Sequence, residues 1–340
     1  MLLCAGFGTR FLPVTERVAK PAIPFLNVPL LGYSLFEIEK LQPKTVVINT
    51  HHLPRSIELA ARELTGAGAK YKLHFSHEPE LLGSGGGVRA AEKYLGGEDF
   101  VVANGDEVNL FNGERGLLPL LEFHQKSKAL ATLLTTVHPE AGRTMGGVWV
   151  NDDGHVTRLG EKVAAGVSSG AQHFAGVFVF SPRIFEFMPK AGAFHIFREC
   201  LIPAIRAGEK IMAHQNREML WLDTTDVKSF IASTERALKE LEGASFARQL
   251  LSVQERFGHK INRAGEKQWL ASGARFHGDA TGAHVFMGEN SEISAGVEVQ
   301  NFAVIGSGAR FSQGVIDSTV ISANVRINEL VHLRRQVIVG

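Results

Sequence analysis

A six-residue period near the C-terminus restricts what this chain can fold into more than any other feature. Ile293, Val299, Ile305 and Phe311 fall six positions apart, and Gly273-Ala-Arg-Phe276, Gly282-Ala-His-Val285, Gly296-Val-Glu-Val299 and Gly308-Ala-Arg-Phe311 repeat one phrase. Such a hexapeptide period predicts a β-helix, whose short coils stack inward aliphatic residues on one another. His277 and His284 lie in this segment, but it is too short to frame a long acyltransfer cleft. Its expected role is to hold protomers together as a homo-oligomer, with no part in the chemistry.

The chain before the repeats has a different texture. Short β-rich runs (Leu2–Ala5, Thr45–Asn49, Lys72–Ser76, Phe100–Ala103, Ala131–Val137) alternate with helix-period segments such as Leu31–Leu41 and Ile57–Leu64. Further strands are expected at Gly147–Val150, Ala175–Phe180 and Met219–Leu222, with helices near Arg198–Ala207 and Val227–Leu241. This alternation predicts an α/β fold: a Rossmann-like, mainly parallel sheet with helices on both faces. The expected domains are 1–240 for the α/β part, 241–268 for a polar helical connector and 269–340 for the β-helix. The first strand starts abruptly at Met1, so a few native residues are expected to be missing upstream.

Composition narrows the partners. In 340 residues, Lys+Arg 36 against Asp+Glu 35 leaves a net charge of +1, so no overall field recruits nucleic acid or an acidic membrane. Cys4 and Cys200 are the only cysteines, which argues against a disulfide framework and for a reducing, cytoplasmic setting. No apolar run approaches the roughly 18 residues of a membrane helix, and no basic leader with a cleavage site opens the chain.

The chemistry is concentrated in "LLCAGFGTRFLPVTERVAKPAIPF", residues 2 to 25. A dinucleotide loop would carry a third glycine where Phe11 stands, and a Walker loop would end in Gly-Lys-Ser/Thr rather than Gly8-Thr9-Arg10. What remains is a strand delivering Gly6 and Gly8, whose amides can approach polyphosphate oxygens. Arg10 follows as a fork-shaped donor and Lys20 as a point charge. Pro13, Pro21 and Pro24 stiffen the loop that carries Lys20. "VVANGDEV", residues 101 to 108, is an apolar strand that ends in a turn and places Asp106 at the carboxyl edge of the sheet.

These residues resemble the sugar-1-phosphate nucleotidylyltransferases, whose signature reads L-x-A-G-x-G-T-R-x-x-P-x-T followed by K-P-x-x-P. Leu3, Ala5, Gly6, Gly8, Thr9, Arg10, Pro13, Thr15, Lys20, Pro21 and Pro24 match it, with Ala19 replacing a customary proline. The resemblance implies that Ala5, Gly6, Gly8, Thr9 and Arg10 hold the triphosphate, while Lys20 meets the α-phosphate and the incoming sugar phosphate. "EPELLGSGGGV" at 78–88 resembles the family's base-binding segment, implying nucleotide roles for Glu80, Gly85 and Gly86. "LGEK" at 159–162 resembles its E-K element, implying that Lys162 binds the sugar phosphate and Glu161 the sugar hydroxyls, with Gly147 and Gly176 in the same sugar-phosphate site. "FAGVFVF" at 174–180 resembles N-A-G-I-Y-I-F with Phe174 for the asparagine. "WLDTTDV" at 221–227 resembles W-x-D-x-G-T-P, with Thr225 for the glycine and Asp226 for the threonine. Asp106 and Asp223 are then the implied ligands of Mg²⁺, and the closing repeats become a left-handed β-helix.

The implied reaction joins a nucleoside triphosphate and a sugar 1-phosphate, with release of pyrophosphate. The sugar phosphate is already an anion, so the protein's task is neutralising phosphate repulsion and aligning the attack. An acceptor-only carboxylate at Glu78 or Glu80 suits guanine N1–H and its exocyclic amine, which points to GTP; the sugar is open, and the resemblance implies mannose 1-phosphate or a related sugar. Gly85-Gly86-Gly87 also resembles uridylyltransferases acting on muramic-type sugars, so UTP stays open. So does a regulatory paralogue that binds nucleotide sugar without turnover. His51 and His52 follow a strand and either face the sugar or form a polar loop pair.

Overall fold

The computed structural model describes residues 1–66, 69–164, 169–243 and 245–340. It divides into two compact units that do not follow chain order. One comprises Met1–Gly6, Glu37–Pro54 and Ala67–Trp221; the other comprises Phe7–Phe36, Arg55–Gly66 and Leu222–Gly340.

A seven-stranded sheet forms the first unit, in the order Ile211–Gln215, Ala131–Thr136, His173–Phe180, Phe100–Asn104, Leu2–Leu3, Thr45–Thr50, Lys72–His77. His173–Phe180 runs antiparallel to both its neighbours, and every other pairing is parallel. Burial on both faces explains the near-continuous apolar strands: Ala131–Thr136 is buried throughout, and Thr45–Thr50 from Val46 onward. Val47, Val102, Leu133, Phe178 and Phe180 from these strands share one core with Val88 and Ile196. Leu2–Leu3 has Thr45–Thr50 on one side and Phe100–Asn104 on the other. The connections therefore diverge at this strand, and open α/β sheets bind ligands beyond the carboxyl ends at such a point. Gly6 and Asp106 follow those two ends.

Most strand limits lie within two residues of expectation. The helix expected near Arg198–Ala207 differs in kind: a π-helical turn, Ile196–Leu201, runs into a short α-helix, Ile202–Arg206. Pro203 has no N–H to give to Glu199, so the α-helical ladder cannot continue through it and the preceding turn widens.

The second unit contains the repeats. Ile293, Val299, Ile305 and Phe311 are all buried, as the six-residue period requires. Consecutive members do not stack on each other, however; the parallel register aligns Phe276, Ile293, Phe311 and Ile327 in one row. A second row runs Leu270, Met287, Ile305, Ile321, Ile338, and a third Val299, Ile316, Leu333. One coil thus spans about three hexapeptides, and successive sixes line successive faces of the β-helix. At one corner Asn290 and Asn324 take left-handed backbone, φ 54° and 61°, a conformation asparagine tolerates better than most side chains.

In the same unit, Val227–Glu240 is an amphipathic helix capped by Asp226, whose carboxylate accepts the Ser229 N–H at 2.8 Å. Phe230 from its buried face meets Phe11 and Phe25 edge-on, at centroid separations of 5.5 and 5.4 Å. Pro24–Phe25 and Val28–Pro29 form a tight hairpin around Leu26 and Asn27.

Candidate active site

Within the first unit, Asp106 is placed by a turn that closes onto the first strand. Gly105 N donates to Leu3 O at 2.9 Å, and the bare glycine Cα sits against Cys4 Sγ, where any Cβ would collide. Burial pushes the Cys4 thiol far above its ordinary range, and the negative charge of Asp106 raises it further. The thiol is therefore protonated and unreactive. A Cβ at Gly6 would meet nothing within 4 Å, so its backbone faces open space.

A buried polar knot lies alongside. Asn49 Oδ1 accepts from Cys4 N at 2.7 Å, while its Nδ2 donates to Glu78 Oε1 at 2.7 Å. Glu78 Oε2 accepts the Leu82 N–H at 2.9 Å, and the Glu78 carbonyl lies 2.8 Å from His51 Nδ1. Glu78 is thereby committed to bracing the chain, which leaves Glu80, exposed on the following turn, as the accessible carboxylate of the pair. Sequence reading missed Asn49; its one signal was a polar residue near the carboxyl end of an otherwise apolar strand.

The glycine cluster lies inside a helix, Gly83–Ala90, rather than in a loop ahead of one. Gly85 and Gly86 both donate to Phe194 O, at 3.0 and 3.4 Å. A Cβ at Gly85 would enter the Phe194 ring, and one at Gly86 would stand 2.7 Å from Gly192 O. These two glycines let the 192–196 segment lie directly on the helix, and their amides are spent there.

Gly147 and Glu161 come together through the backbone, with Gly147 N donating to Glu161 O at 3.0 Å and Gly160 N to Gly147 O at 2.9 Å. The Glu161 and Lys162 side chains are exposed, and Glu161 Oε2 lies 3.4 Å from Arg158 Nη1. Gly176, at φ +74°, marks a break in the strand register where its Cα packs on Asn104 and Glu107. Glu107 Oε2 accepts from Trp221 Nε1 at 2.6 Å, a link the sequence did not advertise.

In the second unit, Gly8 takes φ +63°, and a Cβ there would lie 2.9 Å from Thr15 Cγ2 and 3.2 Å from Lys20 Cβ. Only glycine suits both the backbone and the space. Thr9–Phe11 form a short 3₁₀ turn with Thr9 and Arg10 exposed and Phe11 buried. Lys20 is 7% exposed, its Nζ 5.7 Å from the centroid of the Phe11 ring. Burial would raise the Asp223 carboxyl, but hydrogen bonds from Thr225 and Ser229 and the charge of Lys20 hold it below its usual range. Thr225 N reaches Asp223 Oδ1 at 2.8 Å. Thr225 is absent from the positive-φ residues, so this backbone does not need glycine, and Asp226 serves as the helix cap. Both departures from the signature are thus accommodated locally.

Among the described residues no group of three or more His, Cys, Asp and Glu side chains could cage a metal. The chemistry of Asp106 and Asp223 still fits Mg²⁺, which takes hard oxygen donors and is commonly bound through one or two carboxylates plus substrate phosphates. Asp223, held ionised, is suited to that use. No helix among the described residues is long and apolar enough to cross a membrane.

The UTP–glucose-1-phosphate uridylyltransferase of Synechocystis is 24% identical over 351 residues, covering 100% of this chain and 87% of that protein. The mannose-1-phosphate guanylyltransferase catalytic subunit beta of Danio rerio is 28% identical over 238 residues, covering 68% of this chain and 62%, less than two thirds, of that protein. Among solved structures, a UDP-glucose pyrophosphorylase complexed with UDP-glucose shares the fold with a TM-score of 0.59 at 21% identity, over 70% of this chain and 97% of that one. Residues 1–240 match the family described as nucleotidyl transferase, and the chain belongs to that family.

Proposed function

We propose that this protein transfers a nucleoside monophosphate from a nucleoside triphosphate to a sugar 1-phosphate. An oxygen of the sugar phosphate attacks the α-phosphorus, a new P–O bond forms, and the bond to the bridging oxygen breaks as pyrophosphate leaves. Ala5, Gly6, Gly8, Thr9 and Arg10 hold the triphosphate, and Lys20 neutralises charge at the reacting phosphorus. Lys162 binds the phosphate of the sugar phosphate, Glu161 holds sugar hydroxyls, and Gly147 and Gly176 complete the sugar-phosphate site. Asp106 and Asp223 would hold Mg²⁺, which when bound would supply positive charge against the phosphates. Gly85 and Gly86 contribute shape rather than hydrogen bonds, and Glu80 reads the base. Residues 1–240 carry this chemistry, 241–268 connect, and the β-helix of 269–340 joins protomers. The buried free thiols of Cys4 and Cys200 support a cytoplasmic setting.

The single observation that carries the reading is the closed loop around Gly8 and Lys20, beside an Asp223 held ionised by hydrogen bonds from Thr225 and Ser229 and, in smaller part, by the lysine's charge. GTP with mannose 1-phosphate is our first substrate pair: Glu80 offers only acceptors to a base edge, which favours guanine, and the mannose-1-phosphate guanylyltransferase relative favours the sugar. UTP with glucose 1-phosphate is the second, favoured by the uridylyltransferase relative that aligns over the whole chain. A matrix of triphosphates against sugar 1-phosphates with Mg²⁺, followed by pyrophosphate release, tests both. We expect GTP with mannose 1-phosphate to lead by about tenfold or more. A lead for UTP overturns the base assignment alone, and no release with any pair overturns the function.

A further inference from the structure

We propose that Asn27 and Gln254 are positioning residues for Lys20, so that the C-terminal segment serves the transfer reaction by fixing the loop that bears its central lysine. This rests on the role given to Lys20 above. The hairpin six residues after Lys20 turns at Leu26 and Asn27, with φ 45° and 68°. Two-residue turns with both residues at positive φ favour Asn-Gly, and a leucine in the first place is uncommon there. Leu26 is nonetheless 1% exposed and held in that conformation. Such backbone persists only where the surroundings over-determine it.

The surroundings that do so come from the far end of the chain. Gln254 Nε2 donates to Leu26 O at 2.6 Å, and Asn27 Nδ2 donates to Ile305 O, in the β-helix, at 3.0 Å. Arg17 Nη1 reaches Val339 O at 3.4 Å on the other side of Lys20. In both amides the oxygen is buried and has no hydrogen-bond partner among the described residues, so each side chain is seated for its donor alone. The hold is passed back to Lys20 through short, ordered steps. Tyr33 Oη donates to Phe25 O at 2.9 Å, Leu30 N to Ile23 O at 3.0 Å, and Ile23 N to Lys20 O at 3.0 Å. The Lys20 backbone is thus pinned through a hairpin whose tip is clamped by α-helix and β-helix together.

Asn27→Gly, which tolerates the turn, and Gln254→Leu, which keeps the volume, each remove one donor. Each should lower kcat by about tenfold while both KM values stay within about twofold, because misplacing a catalytic group costs the chemical step more than ground-state binding. In a Lys20→Ala background the further loss should shrink to less than about twofold, since the two residues act through the lysine. A measurement independent of turnover follows Lys20 itself, as the ¹³C-dimethylated amine signal that disappears in Lys20→Ala. That signal should shift in Asn27→Gly and stay in place in Val299→Ala, which loosens the β-helix core in a different stacking row from Ile305. Wild-type kcat in both donor variants, an undiminished loss beside Lys20→Ala, or an unmoved lysine signal would each overturn the positioning role. Full turnover in Lys20→Ala would instead overturn the reading of Lys20 on which it rests.

Discussion

Replacing Asn49 by alanine should destabilise the protein by about 3 to 5 kcal/mol. Asn49 is 2% exposed and Glu78 1%, so neither partner can turn to water when the amide is lost. The Cys4 N–H loses its acceptor at 2.7 Å and Glu78 Oε1 its donor at 2.7 Å. An orphaned buried group costs about 1–3 kcal/mol, with the carboxylate at or above the upper end. That sum approaches a third or more of a typical domain stability of about 5–15 kcal/mol. Asn49→Asp restores an acceptor for Cys4 N but sets a second carboxylate against Glu78, so at neutral pH it should be no better than alanine. Gly87 supplies an internal check, because a Cβ there would lie 2.6 Å from Asn49 Nδ2 and 2.7 Å from Glu78 Oε1. Gly87→Ala should therefore be costly alone and less so beside Asn49→Ala, where the amide has vacated the space. Urea unfolding of the four proteins, read by tryptophan fluorescence and extrapolated linearly, gives the cycle. A cost for Asn49→Ala below about 1 kcal/mol, or strict additivity with Gly87→Ala, would refute the reasoning.

Three further outcomes are expected. Asp106→Asn should lower kcat by about a hundredfold or more, and a pyrophosphate assay across a Mg²⁺ titration checks it; full activity in EDTA would sink the metal role. Lys162→Ala should chiefly raise KM for the sugar phosphate while Lys20→Ala lowers kcat as well, so matching steady-state profiles would contradict their division of labour. Asp223 is held below the ordinary carboxylate range, so its ionisation stabilises the fold fully above its unfolded value of about 3.9 and loses that effect as pH falls through the lower folded value. The stability gap between wild type and Asp223→Asn should therefore narrow as pH drops below about 4, and urea midpoints that keep a constant gap would count against it.

What the sequence disclosed was what local pattern records. The apolar runs of the central sheet follow from burial on both faces, and Ile293, Val299, Ile305 and Phe311 follow from a period that survives any detail of coil geometry. The stacking partner of each was hidden, because a period of six does not say how many sixes make a turn. The triple glycine was read only for the nucleotide, and nothing in its own stretch indicates that Phe194 packs on Gly85. The Asn49–Glu78 bond joins residues 29 positions apart, and nothing near either residue points to the other. Asp226 could have been recognised as a helix cap from its place before a helix-period run, and Thr225 looked anomalous only beside a signature.

The clamp on the Leu26–Asn27 turn also sets a schedule for the ribosome. Asn27 is made 278 residues before the carbonyl it bonds, and Arg17 is made 322 residues before Val339. At roughly 5–20 residues per second, the first of those gaps lasts roughly 14 to 56 seconds. Until Phe230 and Gln254 are themselves made, part-way through that interval, Phe11, Phe25 and Leu26, all buried in the finished protein, lack these partners. The nascent chain thus carries an unsheltered apolar segment for most of its synthesis, a natural client for chaperones that greet emerging chains. Slower translation, or a stalled message that stops short of the repeats, would prolong that exposure and favour aggregation over assembly.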